Sequence, residues 1–186
     1  MSVLANEQDQ LDAIKLWFKN YGKMTLLFFV IGLAASYGWK MWQQSQATYN
    51  EQASLIYDQL LSSLNQHNQD ALVAEANKLV NDYSKTPYGN MAHFMLAHNA
   101  IEQGNLDKAF KELQQVINTS KDTKIRQIAR VRAARILLAK HKLNEALALL
   151  DTVENSTFLP QVNEVKGDIF VAMGEADKAR ASYKAA

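Results

Sequence analysis

Cysteine is absent from this sequence of 186 residues, and the absence excludes disulfides, thiolate zinc sites and a cysteine nucleophile. Proline and glycine are scarce, with two and seven residues, which together with 48% hydrophobic residues favours an ordered, mostly helical protein. An excess of either charge is also missing, because 20 Lys and Arg face 19 Asp and Glu for a net charge of +1. Net charge therefore gives no sign of a nucleic-acid partner.

Catalytic and ligand-binding motifs are missing as well. None of the four histidines (His67, His93, His98 and His141) has the spacing of a metal site. The sequence has no Walker A loop, no G-x-G-x-x-G and no G-x-S-x-G, and serine and aspartate form no recognisable triad pattern. We therefore expect no enzyme activity, no cofactor, no metal and no small-molecule substrate.

One long apolar stretch near the start stands apart from the rest of the sequence. From Met24 to Trp42 only Lys40 is charged, and these residues would form a helix of about 28 Å, close to the bilayer core of about 30 Å. Aromatic residues flank the stretch on both sides, as is typical of membrane interfaces. The pattern predicts one transmembrane helix.

Two other interpretations of this stretch compete with an uncleaved anchor. A buried core helix would be shorter and would carry a polar stripe of its own. A cleaved signal peptide is the second alternative, since Ala34, Ala35 and Ser36 resemble a cleavage site. The long polar lead and the bulky residues that follow favour a signal anchor instead.

The positive charges around the apolar stretch predict its orientation. Lys15, Lys19 and Lys23 precede it, whereas no Lys or Arg occurs between Lys40 and Lys78. Cytoplasmic flanks retain the positive residues, so we expect a cytoplasmic N-terminus. The predicted organisation is a cytoplasmic segment over 1–22, a signal anchor over 23–42 and a periplasmic domain over 43–186 of a single-pass bacterial inner-membrane protein.

Beyond the anchor, the sequence repeats a helix-turn-helix pattern. The passages Gln103–Val116, His141–Val153 and Met173–Ala186 align on Ala109, Ala146 and Ala179, which are spaced by about the 34 residues of a tetratricopeptide repeat. Gly104 and Gly174 mark two of the turns, while His141 takes the place of glycine in the middle repeat. We predict an all-α protein in which one transmembrane helix is followed by a tetratricopeptide-like α-solenoid.

The two ends of the predicted solenoid differ from its middle. Residues 46–65 and 70–83 form a helix pair that fits the pattern poorly, and we interpret this pair as an atypical leading unit. The sequence stops at Ala186 within a predicted second helix. We therefore expect a truncated C-terminal end with a further segment beyond it.

The first helices of such repeats line an inner groove, which is the predicted protein-binding site. Soft apolar and charged groups together suit a partner helix or an extended segment. Phe94 and Val131 have the alternative of being plain core residues. The residues expected to face the groove are Met91, Phe94, His98, Ile128, Val131, Arg135, Glu164 and Asp168.

A local excess of basic residues between Lys121 and Lys142 provides a second candidate surface. On a helix Arg126 and Arg130 share a face. The simpler interpretation is a solvated repeat surface. The alternative is an electrostatic contact with an acidic partner or with anionic lipid headgroups. A nucleic-acid site is disfavoured, because the predicted topology places the domain outside the cytosol.

Several passages resemble the family of ancillary subunits of the bacterial SecYEG translocon, also called YfgM. They are NEQDQLDAIKLWFKNYGK, GWKMWQQSQ, ASLIYDQLL, TPYGNMAHFMLA and VKGDIFVAMGEADKARASYKAA, and they span essentially the whole sequence. The resemblance implies a single-span inner-membrane protein with a periplasmic repeat domain. It also implies association with SecYEG and with the periplasmic chaperone PpiD, so that exported proteins are helped as they emerge.

Two functional hypotheses follow. The first is a membrane-anchored interaction scaffold at the Sec translocon that helps exported proteins pass to periplasmic chaperones, with the lipid bilayer holding its anchor. The second is an envelope-assembly or regulatory adaptor that acts through the repeat domain and the cytoplasmic N-terminus. Deletion of residues 1–22 distinguishes them, since only the regulatory hypothesis needs that segment.

Overall fold

The computed structural model describes residues 2–153 and 156–186, and in these residues it contains helices and no strand. A short 3-10 helix, Ser156–Phe158, precedes the seventh α-helix. The α-helices in chain order are α1 (Ser2–Asn65), α2 (Gln69–Asp82), α3 (Pro87–Glu102), α4 (Leu106–Thr119), α5 (Thr123–Ala139), α6 (Leu143–Asp151), α7 (Leu159–Ala172) and α8 (Ala176–Ala185).

The chain divides into two compact units, Met1–Tyr49 and Asn50–Ala186. In the first unit the large apolar side chains of the predicted anchor are exposed, among them Phe28, Phe29 and Trp39. Within the described residues one helix, over 15–65, is long and apolar enough to cross a membrane. Exposed apolar side chains along such a stretch are what a bilayer would cover.

In the second unit, antiparallel helices pack in sequence, so that α3 lies against α4, α4 against α5, and onward to α8. Three buried clusters follow one another along the unit. The first joins Leu60 of α1 to Leu79 of α2 and Leu96 of α3. The second is shared by α3, α4 and α5, and the third by α5, α6 and α7. Each helix pair thus completes its core with the next pair, which is the packing of a repeat solenoid.

The starts of α2, α3, α4 and α5 are capped by polar side chains. The Thr86 hydroxyl accepts a hydrogen bond from the backbone N–H of Gly89, and Pro87 occupies the first helical position of α3. Asp122 caps α5 by accepting from the N–H of Lys124 at 2.8 Å. These caps fix where the first helices of two successive repeats begin.

Four turns between paired helices share one backbone conformation. His67, Gly104, His141 and Gly174 have positive φ angles of 55°, 72°, 57° and 77°. In each turn the residue after the positive-φ position donates its N–H to the carbonyl five residues back, as Asn105 does to Ala100 at 2.8 Å. The turn at His141 therefore has the same geometry as the glycine turns at Gly104 and Gly174, although histidine replaces glycine there.

The same comparison shows that the leading helix pair uses the repeat turn. Five residues after the positive-φ position stand Leu72, Ala109, Ala146 and Ala179, and all four are buried. Leu72 takes the place of the alanine, which is why the sequence pattern fits this pair poorly. The leading unit therefore differs from the other repeats in having Leu72 where they have alanine, while its turn has the same hydrogen bond as theirs.

Candidate protein-binding groove

A cavity of about 380 Å³ opens between α3, α4 and α5. This volume lies within the range of small-molecule pockets, about 300–1,000 Å³, and leaves room for a large side chain. The residues that line the cavity are Phe94, Ala97, His98, Ile101, Leu106, Leu113, Arg132, Arg135, Ile136 and Ala139.

The floor and the wall of the cavity are apolar. Phe94 and Ile136 form part of the core and are 9% and 4% exposed. Ile101, at the end of α3, is 46% exposed. An exposed isoleucine beside an apolar cavity offers surface that a partner side chain can bury.

Cationic and donor groups surround the cavity. The guanidinium carbon of Arg132 lies 4.8 Å from the centroid of the Phe94 ring, a cation–π contact. Arg135 donates from Nη2 to Glu164 Oε2 at 3.2 Å, and this bond links α5 to α7. The lining includes no carboxylate.

Farther along the groove the charge changes sign. Glu164 is exposed and forms the ion pair with Arg135. Asp168 accepts a hydrogen bond of 2.7 Å from the Tyr183 hydroxyl of α8. This hydrogen bond raises the pKa of Tyr183 above its ordinary value, because it favours the neutral hydroxyl as donor to the carboxylate. The groove therefore carries arginines on α5 and the carboxylates of Glu164 and Asp168 on α7.

The structure separates the predicted groove residues into three groups. Phe94, His98 and Arg135 meet at the cavity. Met91 and Ile128 are partly buried and pack against the core of α3, α4 and α5, and Val131 is buried in the next core cluster. Glu164 and Asp168 lie on α7 with the partners described above. Val131 thus has the burial of the core residue that was its alternative, and the other residues remain the predicted binding surface, with Phe94, His98 and Arg135 lining its cavity.

Sequence reasoning missed Ile101, Arg132 and Ile136 as cavity residues. Ile101 is seven positions after Phe94, so helical spacing places both on the face that also carries His98. Arg132 belongs to a helix in another repeat, and no spacing within one helix indicates that it reaches Phe94. Helical periodicity could therefore have identified Ile101 as a cavity residue, but it could not have identified Arg132.

Arg126 and Arg130, the predicted basic face, are half-buried on α5 and reach the C-terminal ends of neighbouring helices. Arg126 donates to the backbone carbonyl of Ser120 at 2.7 Å, where α4 ends. Arg130 donates to the carbonyl of Thr152 at 3.2 Å, where α6 ends. Each guanidinium also donates to a side chain of α5, Arg126 to Thr123 and Arg130 to Gln127. Both side chains thus satisfy helix-terminal carbonyls and keep their remaining N–H donors for other contacts.

A larger cleft of about 580 Å³ lies near the start of α3 and the end of α4, and its lining is mixed and mostly polar. Its most buried polar pair is His93 and Glu112, whose Nδ1 and Oε2 atoms are 2.8 Å apart. These two groups already satisfy each other, so the pair serves to join α3 to α4. The smaller cavity offers more apolar surface for a partner, and we take it as the candidate site.

The arrangement as a whole defines a class of protein: a solenoid of tandem helix pairs with a partly apolar cavity between three of its helices. Among the side chains that the structure describes, no three of His, Asp or Glu converge as metal ligands would. Residues 15–186 match the family model described as a tetratricopeptide repeat-like domain, which confirms the predicted fold class.

Curated relatives extend the match to nearly full length. The ancillary SecYEG translocon subunit of Haemophilus influenzae is 31% identical over 100% of this chain and 91% of its own length. The protein of that name from Escherichia coli (strain K12) is 28% identical over 100% of this chain and 89% of its own length. The protein of that name from Neisseria gonorrhoeae is 28% identical over 98% of this chain and 88% of its own length. The chain belongs to the family of ancillary SecYEG translocon subunits, and the resemblance inferred from the sequence is confirmed.

Proposed function

We propose that this protein is a non-enzymatic, membrane-anchored interaction scaffold at the bacterial Sec translocon. The observation that carries the proposal is family membership over nearly the whole chain, from the apolar helix through the last repeat. The groove adds a physical means of holding a protein partner, because it presents apolar surface beside charged groups.

The proposed anchor spans residues 23–42, with residues 1–22 in the cytoplasm and 43–186 in the periplasm. The lysines before the apolar stretch and the lack of positive residues after Lys40 support this orientation. Because the chain has no cysteine, single cysteines report topology cleanly. In spheroplasts, a membrane-impermeant maleimide should label Lys178→Cys and not Asn20→Cys. Labelling of Asn20→Cys alone would contradict the orientation.

The proposed partners are the SecYEG translocon and the periplasmic chaperone PpiD, with exported proteins passing from the first to the second. Tethering raises the local concentration of the groove at the export site, so that weak contacts suffice. The test is isolation of tagged SecYEG from membranes that carry the full-length protein. We expect the protein and PpiD to be isolated with SecYEG. Absence of the protein from the isolated translocon would refute this function.

The alternative is an envelope-assembly or regulatory adaptor that uses the cytoplasmic segment. A chain that lacks residues 1–22 separates the two hypotheses in the same isolation. The scaffold hypothesis expects SecYEG to retain the shortened chain, whereas the regulatory hypothesis expects loss of a cytoplasmic partner. Insertion of the shortened chain is verified by protease protection of its periplasmic domain.

Arg126 and Arg130 form a second proposed contact face, for an acidic partner or anionic lipid headgroups. Arg126 donates to the Ser120 carbonyl and to Thr123 Oγ1. Arg130 donates to the Thr152 carbonyl and to Gln127 Oε1, and each guanidinium keeps further N–H donors. Exposed Lys121 and Lys124 lie five and two residues before Arg126 in sequence and are therefore suitable probe positions. Crosslinks from these lysine positions to SecYEG would support this face, and their absence beside groove crosslinks would exclude it.

A further inference from the structure

We propose that the cavity between α3, α4 and α5 binds an apolar side chain of a protein segment that carries an acidic residue beside it. This inference rests on the proposed scaffold function and names the chemistry of the partner. It concerns the occupant of one cavity, whichever translocon or chaperone protein supplies the segment.

The apolar requirement follows from the lining. Phe94, Ile136 and Leu113 form a floor that is buried in the core and cannot be rearranged without loss of packing. Ile101 stands at the mouth with 46% of its surface exposed. A large apolar side chain in the cavity would cover this isoleucine and displace water from the floor. A polar side chain would lose hydrogen bonds to water there and gain none from the floor.

The acidic requirement follows from the charges at the mouth. His98 Nδ1 lies 3.7 Å from Glu102 Oε1, and Arg135 has Glu164 as its partner. Arg132 lies over the Phe94 ring, and no carboxylate of the described residues pairs with it. Arg132 is therefore the lining cation that a partner's carboxylate would meet. A carboxylate beside the apolar anchor would meet Arg132, whereas an ammonium group there would be repelled.

The stacking on Phe94 makes Arg132 a specific recognition group. The contact with the ring restrains the guanidinium at the mouth, so less side-chain freedom is lost when a carboxylate binds. A guanidinium offers two parallel N–H donors to a carboxylate, which favours an acidic residue at one position over diffuse negative charge. The expected motif is therefore local, with one apolar anchor and one carboxylate next to it.

Fluorescence anisotropy with the full-length chain in lipid nanodiscs tests the proposal. Three short labelled peptides serve as probes: one with phenylalanine followed by aspartate, one with phenylalanine followed by lysine, and one with alanine followed by aspartate. We expect the first peptide to bind about tenfold more tightly than either of the others, the ratio that one well-placed contact provides.

Two variants identify the residues responsible. Arg132→Glu should reverse the preference, so that the phenylalanine–lysine peptide binds more tightly than the phenylalanine–aspartate peptide. Ile101→Ala should weaken binding of the phenylalanine–aspartate peptide by about tenfold and leave the affinity of the alanine–aspartate peptide unchanged. Both side chains are exposed, so neither change removes buried core. Arg180→Glu on α8 is the control, because it makes the same change of charge outside the cavity and should alter binding less than about twofold.

Equal binding of the three peptides, no binding of any of them, or an unchanged preference in Arg132→Glu would overturn the proposal. These results leave the scaffold function untouched if SecYEG still retains the protein. Conversely, peptide selectivity without retention by SecYEG would support the cavity chemistry and refute the proposed function. The two failures are thus distinguishable.

Discussion

Replacement of His141 by glycine should stabilise the repeat domain. His141 has a φ of 57° in a turn whose hydrogen bonds match those of the Gly104 turn. This left-handed conformation costs a residue with a Cβ about 1–2 kcal/mol. Glycine instead loses about 0.5–1 kcal/mol of additional chain entropy on folding. The difference predicts that His141→Gly raises the free energy of unfolding by about 0.5–1 kcal/mol.

The reverse change at Gly104 provides a matched control. A Cβ on Gly104, which has a φ of 72°, would meet no atom within 4 Å, so Gly104→Ala tests backbone conformation alone. We expect it to lower the free energy of unfolding by about 0.5–1 kcal/mol. Ala148→Gly, in the interior of α6, should also destabilise, by about 1 kcal/mol, because its backbone is helical.

Urea unfolding of the full-length chain in detergent micelles, followed by far-UV circular dichroism, measures these changes. Tryptophan fluorescence is unsuitable, since Trp17, Trp39 and Trp42 all lie outside the repeat unit. The expected order of midpoints is His141→Gly above wild type and Gly104→Ala below it. A His141→Gly midpoint equal to or below that of wild type would refute the shared-turn reasoning.

Three further predictions concern packing and charge. Leu150 is 1% exposed, so Leu150→Ala should lower the free energy of unfolding by about 2–5 kcal/mol in the same urea assay, whereas Leu159→Ala, at a site 45% exposed, should cost clearly less. A Cβ on Gly89 would lie 2.8 Å from a backbone oxygen, so Gly89→Ala should destabilise by about 1–3 kcal/mol, and no change in midpoint would contradict this close approach. The Lys140 ammonium donates a hydrogen bond to Asp107 and lowers the pKa of that carboxyl below its ordinary value of 3.8. The stability that this pair contributes is therefore fully present at pH values above the ordinary pKa, and it is lost as the pH falls through the lowered pKa. Wild type should therefore exceed Asp107→Asn in stability at neutral pH and approach it below about pH 4, which urea midpoints across pH measure; a gap that persists in acid would contradict the pairing.

The sequence predicted those parts of the fold that repeat or that are strongly apolar. The apolar stretch and the repeat period follow from composition and spacing, because both depend on residues close together in the chain. The leading pair was harder to assign, since His67 stands where glycine marks the turn elsewhere and Leu72 replaces the small alanine. Neither side chain signals the left-handed turn that the backbone adopts.

The site was predicted only in part, for a similar reason. Helical spacing identified Phe94, His98 and Arg135 as groove residues, because each belongs to the first helix of a repeat. The contact between Arg132 and Phe94 joins residues of different repeats, and its geometry depends on how the helices cross. The bond from Arg130 to Thr152 likewise joins residues 22 positions apart. Such contacts are set by tertiary packing and leave no local pattern in the sequence.

Site-specific photo-crosslinking in native membranes tests the central claim most directly. A photoreactive amino acid is placed at His98 in the groove or at Arg180 on α8, where the side chains are comparably accessible, with 69% and 80% of their surface exposed. The scaffold account predicts adducts to SecYEG subunits or a periplasmic chaperone from His98 and few or none from Arg180. Equal adducts from both positions would contradict the groove, and adducts to cytoplasmic proteins would contradict the topology on which the proposed function depends.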